Sequence, residues 1–112
     1  MKFTKNSPYL RFIKLLESID TFSLIDPLET LIIRKLYMHW SHNEQVLVSD
    51  FMQFNKIASS ATLHRKLHRL VDLKILKFQP NPNDARLKYI VPTAKLEKDL
   101  LKLNLIFKKV AS

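Results

Sequence analysis

Residues 59–76 concentrate the side chains that could recognise a ligand. The segment reads SSATLHRKLHRLVDLKIL and combines serines and a threonine with arginines and histidines. Short hydroxyls and the backbone N–H groups at a helix N-terminus can hold a phosphate, and arginine can bind guanine O6 and N7 through two hydrogen bonds. These residue types therefore indicate recognition of nucleic acid rather than the making or breaking of covalent bonds.

The spacing within this segment separates an apolar face from a basic one. At about 100° per residue, the apolar side chains fall within one sector about 100° wide, which is the usual width of a core-facing stripe. They are Leu63, Leu67, Leu70 and Val71. The opposite sector holds Ala61, Thr62, Arg65, His68 and Arg69, with His64 and Lys66 at the flanks. No acid precedes Asp72, whereas an ordinary solvated helix often mixes Glu with Lys.

We expect residues 59–71 to form a helix whose first turns enter the major groove of DNA. The DNA-binding residues predicted here are Ser59, Ser60, Thr62, Arg65, Lys66, His68 and Arg69. Arg65 is the candidate for reading a guanine, and Thr62 and Ala61 for touching a thymine methyl group. The alternative is that Ser60 is only an N-cap and that the arginines form a solubilising face.

The composition agrees with a polyanionic partner and excludes several kinds of site. The net charge is +9, from 19 Lys and Arg against 10 Asp and Glu, which suggests double-stranded DNA; solubility alone is the other explanation. The chain has no cysteine, which excludes a disulfide scaffold, a thiolate zinc site and a cysteine nucleophile. It also has no glycine, which excludes a glycine-rich phosphate loop.

The histidines and carboxylates form no motif typical of catalysis or of a metal centre. His64 and His68 have a spacing that can hold a metal ion, but no third ligand follows at a telling position. We therefore expect no metal and no cofactor, and a phosphate contact from His68. Neither Gly-x-Ser-x-Gly nor His-Glu-x-x-His occurs, so an enzyme is not predicted.

Three helices and a short strand are predicted before residue 59. Ser7 and Pro8 suit the start of a helix over about residues 8–20. Asp26, Pro27 and Glu29 form the start of a second helix that reaches about Trp40. Residues 45–48 read as a brief strand. The pair Ser49-Asp50 suits the cap of a short helix over residues 50–58, so that this helix and the basic one form a helix-turn-helix.

A hairpin and a last helix follow the basic helix. After Leu76 the apolar residues alternate with polar ones, then come PNPNDA and LKYIV, which indicates two strands joined by a turn. Thr93 can cap a final helix with apolar residues at heptad-like spacing. The predicted fold class is mainly α with a small β-hairpin (α+β): a winged helix-turn-helix in one domain over residues 1–112.

These motifs resemble those of the MarR (multiple antibiotic resistance regulator) family of winged-helix transcription factors, from about Asp26 to Leu103. The matching parts are DPLETLIIRKL, SDFMQF, SSATLHRKLHRLVDLKIL, NPNDARLKYIVP and Thr93 before the last helix. The most specific part is Asp84-Ala85-Arg86, which is similar to the Asp-x-Arg of the family's wing. Lys74 is a departure, because the family usually has glycine before the first wing strand.

The resemblance implies a sequence-specific DNA-binding transcriptional regulator. It implies that the wing, residues 80–88, enters the minor groove with Arg86, and that Asp84 orients this arginine. Lys88 is predicted to contact phosphate. The same core can also serve protein–protein interaction, and a DNA-binding replication or partition module of a mobile element is a further alternative.

The resemblance also implies a dimer. We expect residues 1–25 and 93–112 to form the dimer interface of a homodimer and residues 26–92 to form the DNA-binding core. A small-molecule effector remains unknown. No apolar run approaches the ~18 residues of a membrane span, so we expect a cytoplasmic, nucleoid-associated protein without a membrane partner.

Overall fold

The computed structural model of the chain describes residues 5, 7–54 and 56–111. The helices and strands are α1 (Pro8–Glu17), α2 (Asp20–Ser23), α3 (Pro27–Ser41), β1 (Val46–Leu47), α4 (Val48–Phe51), α5 (Ser60–Asp72), β2 (Leu76–Pro80), β3 (Lys88–Pro92) and α6 (Ala94–Ala111). The strands form one antiparallel sheet in the order β1-β3-β2. This is a mainly α winged helix-turn-helix, which confirms the predicted fold class. Among the described residues, no helix is both long and apolar enough to span a membrane.

Helix α3 begins with the predicted capping box. The Asp26 side chain accepts a hydrogen bond from the Glu29 N–H at 2.7 Å, and the Glu29 side chain accepts one from the Asp26 N–H at 2.9 Å. Two of the free N–H groups of a helix N-terminus are thereby satisfied. Pro27 occupies the first helical position, where its missing N–H costs nothing.

Helix α5 ends in a motif that explains the departure at Lys74. The Ile75 N–H donates to the Leu70 carbonyl at 3.0 Å and the Lys74 N–H donates to the Val71 carbonyl at 2.9 Å, the two bonds of a Schellman motif. Lys74 adopts a left-handed conformation with φ of 60°, which glycine would adopt more easily. Lysine thus fills the glycine position without changing the turn into β2.

Two helices differ from the prediction because tertiary packing overrides the local pattern. The first helix ends at Glu17 rather than near residue 20, since Ile19 turns extended and buries its side chain. The helix predicted over 50–58 is only α4, and Asn55 lies outside the described residues. The expected Ser49-Asp50 cap is wrong: Leu47 holds the N-cap position without a side-chain hydrogen bond. Turns after α4 carry the chain to α5 while Phe51 remains buried in the core.

One apolar core joins the helices to the sheet. Its buried residues are Ile32, Ile33, Leu36, Val46, Phe51, Leu63, Leu67, Leu70, Ile75, Leu76, Ile90 and Leu96. The predicted strand at 45–48 is present as β1, which pairs with β3 through Val46 and Ile90. The sheet is therefore anchored in the core at one end, and the tip of its β2–β3 hairpin extends away from it.

Helices α1 and α6 pack against each other within the chain. The Phe12 and Phe107 ring centroids are 5.0 Å apart. The buried Asp99 carboxylate of α6 accepts hydrogen bonds from the N–H and the hydroxyl of Thr21, which fixes α2 to α6. A cavity of about 420 Å³, lined mainly by apolar residues of α1, α2, α3 and α6, remains between them.

Candidate nucleic-acid interface

Arg65 lies on the exposed side of α5, opposite three leucines that are completely buried. The leucines Leu63, Leu67 and Leu70 have no exposed surface, as the helical spacing predicts. Arg65 makes no ion pair or hydrogen bond with any side chain that the structure describes. Its guanidinium, which carries five N–H donors and stays charged, is therefore available to an external partner.

Lys66 and Arg69 bind the protein's own body, which corrects the expectation that they are free to contact DNA. The Lys66 ammonium forms an ion pair with Asp26 and lies 3.9 Å from Glu29 Oε2. The Arg69 guanidinium donates to Glu29 Oε1 and, at 3.1 Å, to the Leu24 carbonyl. Positions three apart share one side of a helix, and this side of α5 faces the N-terminus of α3.

The contacts between these four charged side chains have clear electrostatic consequences. The hydrogen bond from Lys66 and the Glu29 N–H lower the pKa of Asp26, while the Glu29 carboxylate raises the pKa of Arg69. Glu29 is completely buried, and its Oε2 has no hydrogen-bond partner among the described residues. We call Asp26, Glu29, Lys66 and Arg69 the α3–α5 charge cluster. It joins α5 to the start of α3 through ion pairs, a connection that the sequence pattern did not reveal.

The hydroxyl groups at the start of α5 are engaged in local hydrogen bonds. Ser59, not Ser60, is the N-cap: its Oγ accepts from the Thr62 N–H at 3.3 Å and donates to Thr62 Oγ1 at 3.0 Å. Ser60 Oγ donates to the Met52 carbonyl at 3.2 Å, which connects α5 to the turn after α4. These three residues are at least partly exposed, and contacts from them to DNA remain predictions.

The tip of the β2–β3 hairpin is built by asparagine and aspartate in place of glycine. Asn81 Oδ1 accepts from the N–H groups of Asn83 at 2.8 Å and Asp84 at 3.2 Å. The Asn81 N–H donates to the Leu87 carbonyl at 2.8 Å, and the Leu87 N–H donates to the Asp84 carbonyl at 3.0 Å. Hydrogen bonds to the Asn81 side chain thus stabilise a turn that contains no glycine.

Asp84 holds Arg86 in a two-point ion pair at this tip. Arg86 Nε lies 3.1 Å from Asp84 Oδ1, and Arg86 Nη2 lies 3.1 Å from Asp84 Oδ2. The hydrogen bonds lower the pKa of Asp84 and raise that of Arg86. Arg86 nevertheless keeps 90% of its side chain exposed. Lys88, two residues further along, is also exposed.

His68 connects the exposed side of α5 to the hairpin. Its ring meets the Phe78 ring of β2 edge-on, with centroids 5.8 Å apart, and its Nε2 lies 3.1 Å from His64 Nε2. This ring contact joins the exposed side of α5 to strand β2 of the hairpin.

Comparison with known proteins identifies the fold. No family model and no curated protein matches the chain, but solved structures do. The transcriptional regulator Tm0710 from Thermotoga maritima is 20% identical, with a TM-score of 0.60 over 92% of this chain and 72% of that one. A protein described as a MarR-like transcription regulator, from Bacillus cereus ATCC 10987, is 16% identical, with a TM-score of 0.54 over 92% and 70%.

This chain has the MarR-like winged-helix fold. The heme sensor protein PefR from Streptococcus agalactiae, in complex with heme, shares it: identity is 19% and the TM-score is 0.58, over 91% of this chain and 65% of PefR. Within this fold, α5 is the second helix of the helix-turn-helix and the β2–β3 hairpin is the wing. At 16–20% identity, the structural likeness establishes the fold alone, and function has to be argued from the residues.

Proposed function

We propose that this MarR-like chain is a sequence-specific regulator of transcription that binds double-stranded DNA, and not an enzyme. The observation that carries the proposal is the unpaired Arg65 on the exposed side of α5, next to a wing that presents Arg86. A major groove about 12 Å wide admits an α-helix, and a guanidinium there can read guanine.

Helix α5 would read bases mainly through Arg65. Thr62 and Ala61, one turn earlier, would contact a thymine methyl group, and His68 would contact phosphate. Ser59 and Ser60 would contribute phosphate contacts from the start of the helix. Lys66 and Arg69 would act indirectly, because their charges are used in the α3–α5 charge cluster.

The wing would place Arg86 in the minor groove, where a narrow groove concentrates negative potential and attracts arginine. The two hydrogen bonds that the Arg86 side chain donates to Asp84 support this role, because they restrict the guanidinium before binding. Less side-chain freedom then remains to be lost when the arginine enters the groove. Lys88 would contact phosphate without reading sequence.

A second copy of the chain would cover the exposed apolar residues of α6. Leu101 and Leu105, one turn apart on this helix, are 64% and 59% exposed, which is unusual for neighbouring large apolar residues. A homodimer with two-fold symmetry would bind a palindromic site whose half-sites lie about one helical turn apart. Sedimentation at micromolar concentration tests this: a monomer at all concentrations would eliminate the palindrome.

The cavity beside α6 is where we would place an effector. It is lined by aromatic side chains, including Phe12, Phe22 and Phe107, so a small apolar molecule fits it best. Such a molecule would lie between α1, α6 and the α3 helix that carries the charge cluster. Thermal unfolding in the presence of candidate compounds would detect it, because a ligand of the folded state raises Tm.

The experiment that tests the proposal is a selection of bound sequences from random duplexes at defined salt, followed by affinity measurements. With about eight phosphate contacts, log affinity should fall against log salt with a slope near −7. An enriched motif with two half-sites supports a sequence-specific dimer. Absence of any enriched motif, or an affinity that hardly changes with salt, would refute the proposed mode of binding.

A further inference from the structure

The Nε2 atoms of His64 and His68 lie next to each other at the exposed side of α5. Their Nε2 atoms are 3.1 Å apart, and their ring centroids are 4.3 Å apart. The edge contact between His68 and Phe78 restricts one of the two rings. A spacing of four residues alone does not predict a metal site, but two Nε2 atoms only 3.1 Å apart are close enough to bind the same ion.

We propose that His64 and His68 bind one divalent transition-metal ion, of the class of Cu²⁺, Ni²⁺ or Zn²⁺. Imidazole nitrogens bind Zn²⁺ at about 2.0–2.1 Å. Two nitrogens at that distance from an ion, and 3.1 Å from each other, subtend an angle of about 100° at it. This angle lies between the octahedral and tetrahedral values, so the separation of the two nitrogens suits one shared ion.

In the absence of an ion, the same contact is a hydrogen bond between two neutral imidazoles, in which one Nε2–H donates to the other Nε2. When an ion binds both Nε2 atoms, that proton is transferred through solvent to Nδ1 of the same ring, so both imidazoles stay neutral and no net proton is released. Both side chains are exposed, so water would complete the coordination of the ion. The site needs no rearrangement of the core.

The site would be open and exchangeable rather than structural. The part of the chain that the structure describes contains no group of three or more His, Cys, Asp or Glu side chains that could hold an ion. Two imidazoles favour Cu²⁺ over Zn²⁺, and they do not suit Mg²⁺, which prefers oxygen ligands.

The other two histidines provide a matched control. His39 Nδ1 lies 2.7 Å from Glu44 Oε2, and His42 Nδ1 lies 2.8 Å from the Met38 carbonyl. Each of these rings already has a partner within its own helix end. His39 and His42 are exposed or half-exposed like His64 and His68, but their ring nitrogens contact other groups and not each other.

The test is calorimetric titration of the tag-free chain with Ni²⁺ and with Zn²⁺, without DNA, so that it is independent of the proposed function. We expect one ion per chain, and a rise in Tm of about 5 °C at ten times the dissociation constant. His64→Gln and His68→Gln should each weaken binding at least about tenfold, since one of two ligands is lost, whereas the double variant His39→Gln/His42→Gln should bind like the original chain.

Circular dichroism of the variants would verify that they are folded, and Mg²⁺ should leave Tm unchanged. The proposal is overturned if the original chain binds neither ion. It is equally overturned if the His64→Gln/His68→Gln double variant retains the original affinity, or if the His39→Gln/His42→Gln variant loses it.

Discussion

Neighbouring cations of one helix are used in opposite ways. Lys66 and Arg69 of α5 are paired with Asp26 and the buried Glu29. Arg65, which the helical spacing places only about 40° from Arg69, has no partner among the described side chains. The comparison teaches that a count of basic residues overestimates the charge available to an external partner, because part of that charge is paired within the protein.

The wing shows that pairing by itself does not withdraw an arginine from the surface. Arg86 is paired with Asp84 and is 90% exposed, whereas Arg69 is paired with Glu29 and is 46% exposed. Asp84 belongs to the same turn as Arg86, so the pair projects with the wing. Glu29 belongs to the core, so it draws Arg69 inward. The position of the acid therefore decides whether the cation can reach a partner.

Among the substitutions that test this comparison, Glu29→Gln should have the largest effect on stability and on the salt dependence of DNA binding. Its neutral amide removes the buried negative charge that pairs with Arg69, so we expect the free energy of unfolding to fall by about 1.5–3 kcal/mol, the range for hydrogen bonds to charged groups. The released Arg69 should also steepen the salt slope of DNA binding by up to about 1. Urea unfolding and affinity at several salt concentrations measure the two effects.

Glu17→Gln is the matched control for that substitution. Glu17 is exposed and has no ion pair among the described residues, so its stability and salt slope should remain unchanged. If Glu29→Gln leaves the stability and the salt slope as unchanged as Glu17→Gln does, the α3–α5 charge cluster does not restrain Arg69.

Replacing Arg65 with alanine tests whether this unpaired arginine reads a base. We expect a loss of about 1–3 kcal/mol in DNA affinity, together with relaxed preference at one base position. Lys66→Gln should change affinity much less, because this lysine is already paired. Equal losses for the two variants, measured on folded protein, would mean that Lys66 also contacts the duplex.

Lys88→Ala is expected to weaken binding to all sequences about equally and to reduce the salt slope by about 1, as for a phosphate contact. Affinities for the selected site and for an unrelated duplex measure this. A loss confined to the selected site would assign Lys88 a reading role.

Replacing Lys74 with glycine should stabilise the junction between α5 and the wing by about 0.5–1 kcal/mol. The left-handed conformation at φ of 60° is strained for lysine and free for glycine. Lys74→Ala should bring no such gain, because alanine retains the Cβ. Urea unfolding of both variants decides; a destabilised glycine variant would show that the lysine side chain contributes more than the strain costs.

Low pH should destabilise the α3–α5 charge cluster, with a smaller effect than the substitutions above. The pKa of Asp26 is lowered below 3.8 by Lys66, so its contribution is present above the unfolded value and is lost as pH falls through the folded one. Asp26→Asn keeps an N-cap side chain but should lose stability less steeply below about pH 4. Unfolding at pH 3 to 7 measures this, with Asp50→Asn as an exposed control.

Local signals in the sequence were sufficient for much of the fold. The capping box at Asp26, the stripe of leucines in α5, the alternation after Leu76 and the cap at Thr93 all predicted elements that the structure contains. Each signal involves residues within a few positions of each other. The shortened α1 and α4 were missed because long-range burial of Ile19 and Phe51 decides those boundaries.

The candidate site was predictable to a lesser degree for the same reason. The helical spacing placed Arg65 outward, and the wing motif indicated the Asp84–Arg86 pair. The partners of Lys66 and Arg69 are 40 residues away in the chain, and no periodicity connects them. Asp26 and Glu29 were interpreted only as helix-start residues, although the same carboxylates also bind α5.

The position of Trp40 makes the wing observable by fluorescence. This side chain is the chain's single tryptophan, and its Nε1 donates to the Ile90 carbonyl of β3 at 3.2 Å. A displacement of β3 relative to α3 would lengthen this bond and change the polarity around the indole. Emission of the unlabelled protein during titration with a duplex would therefore follow movement at the base of the hairpin, independently of any dye on the nucleic acid.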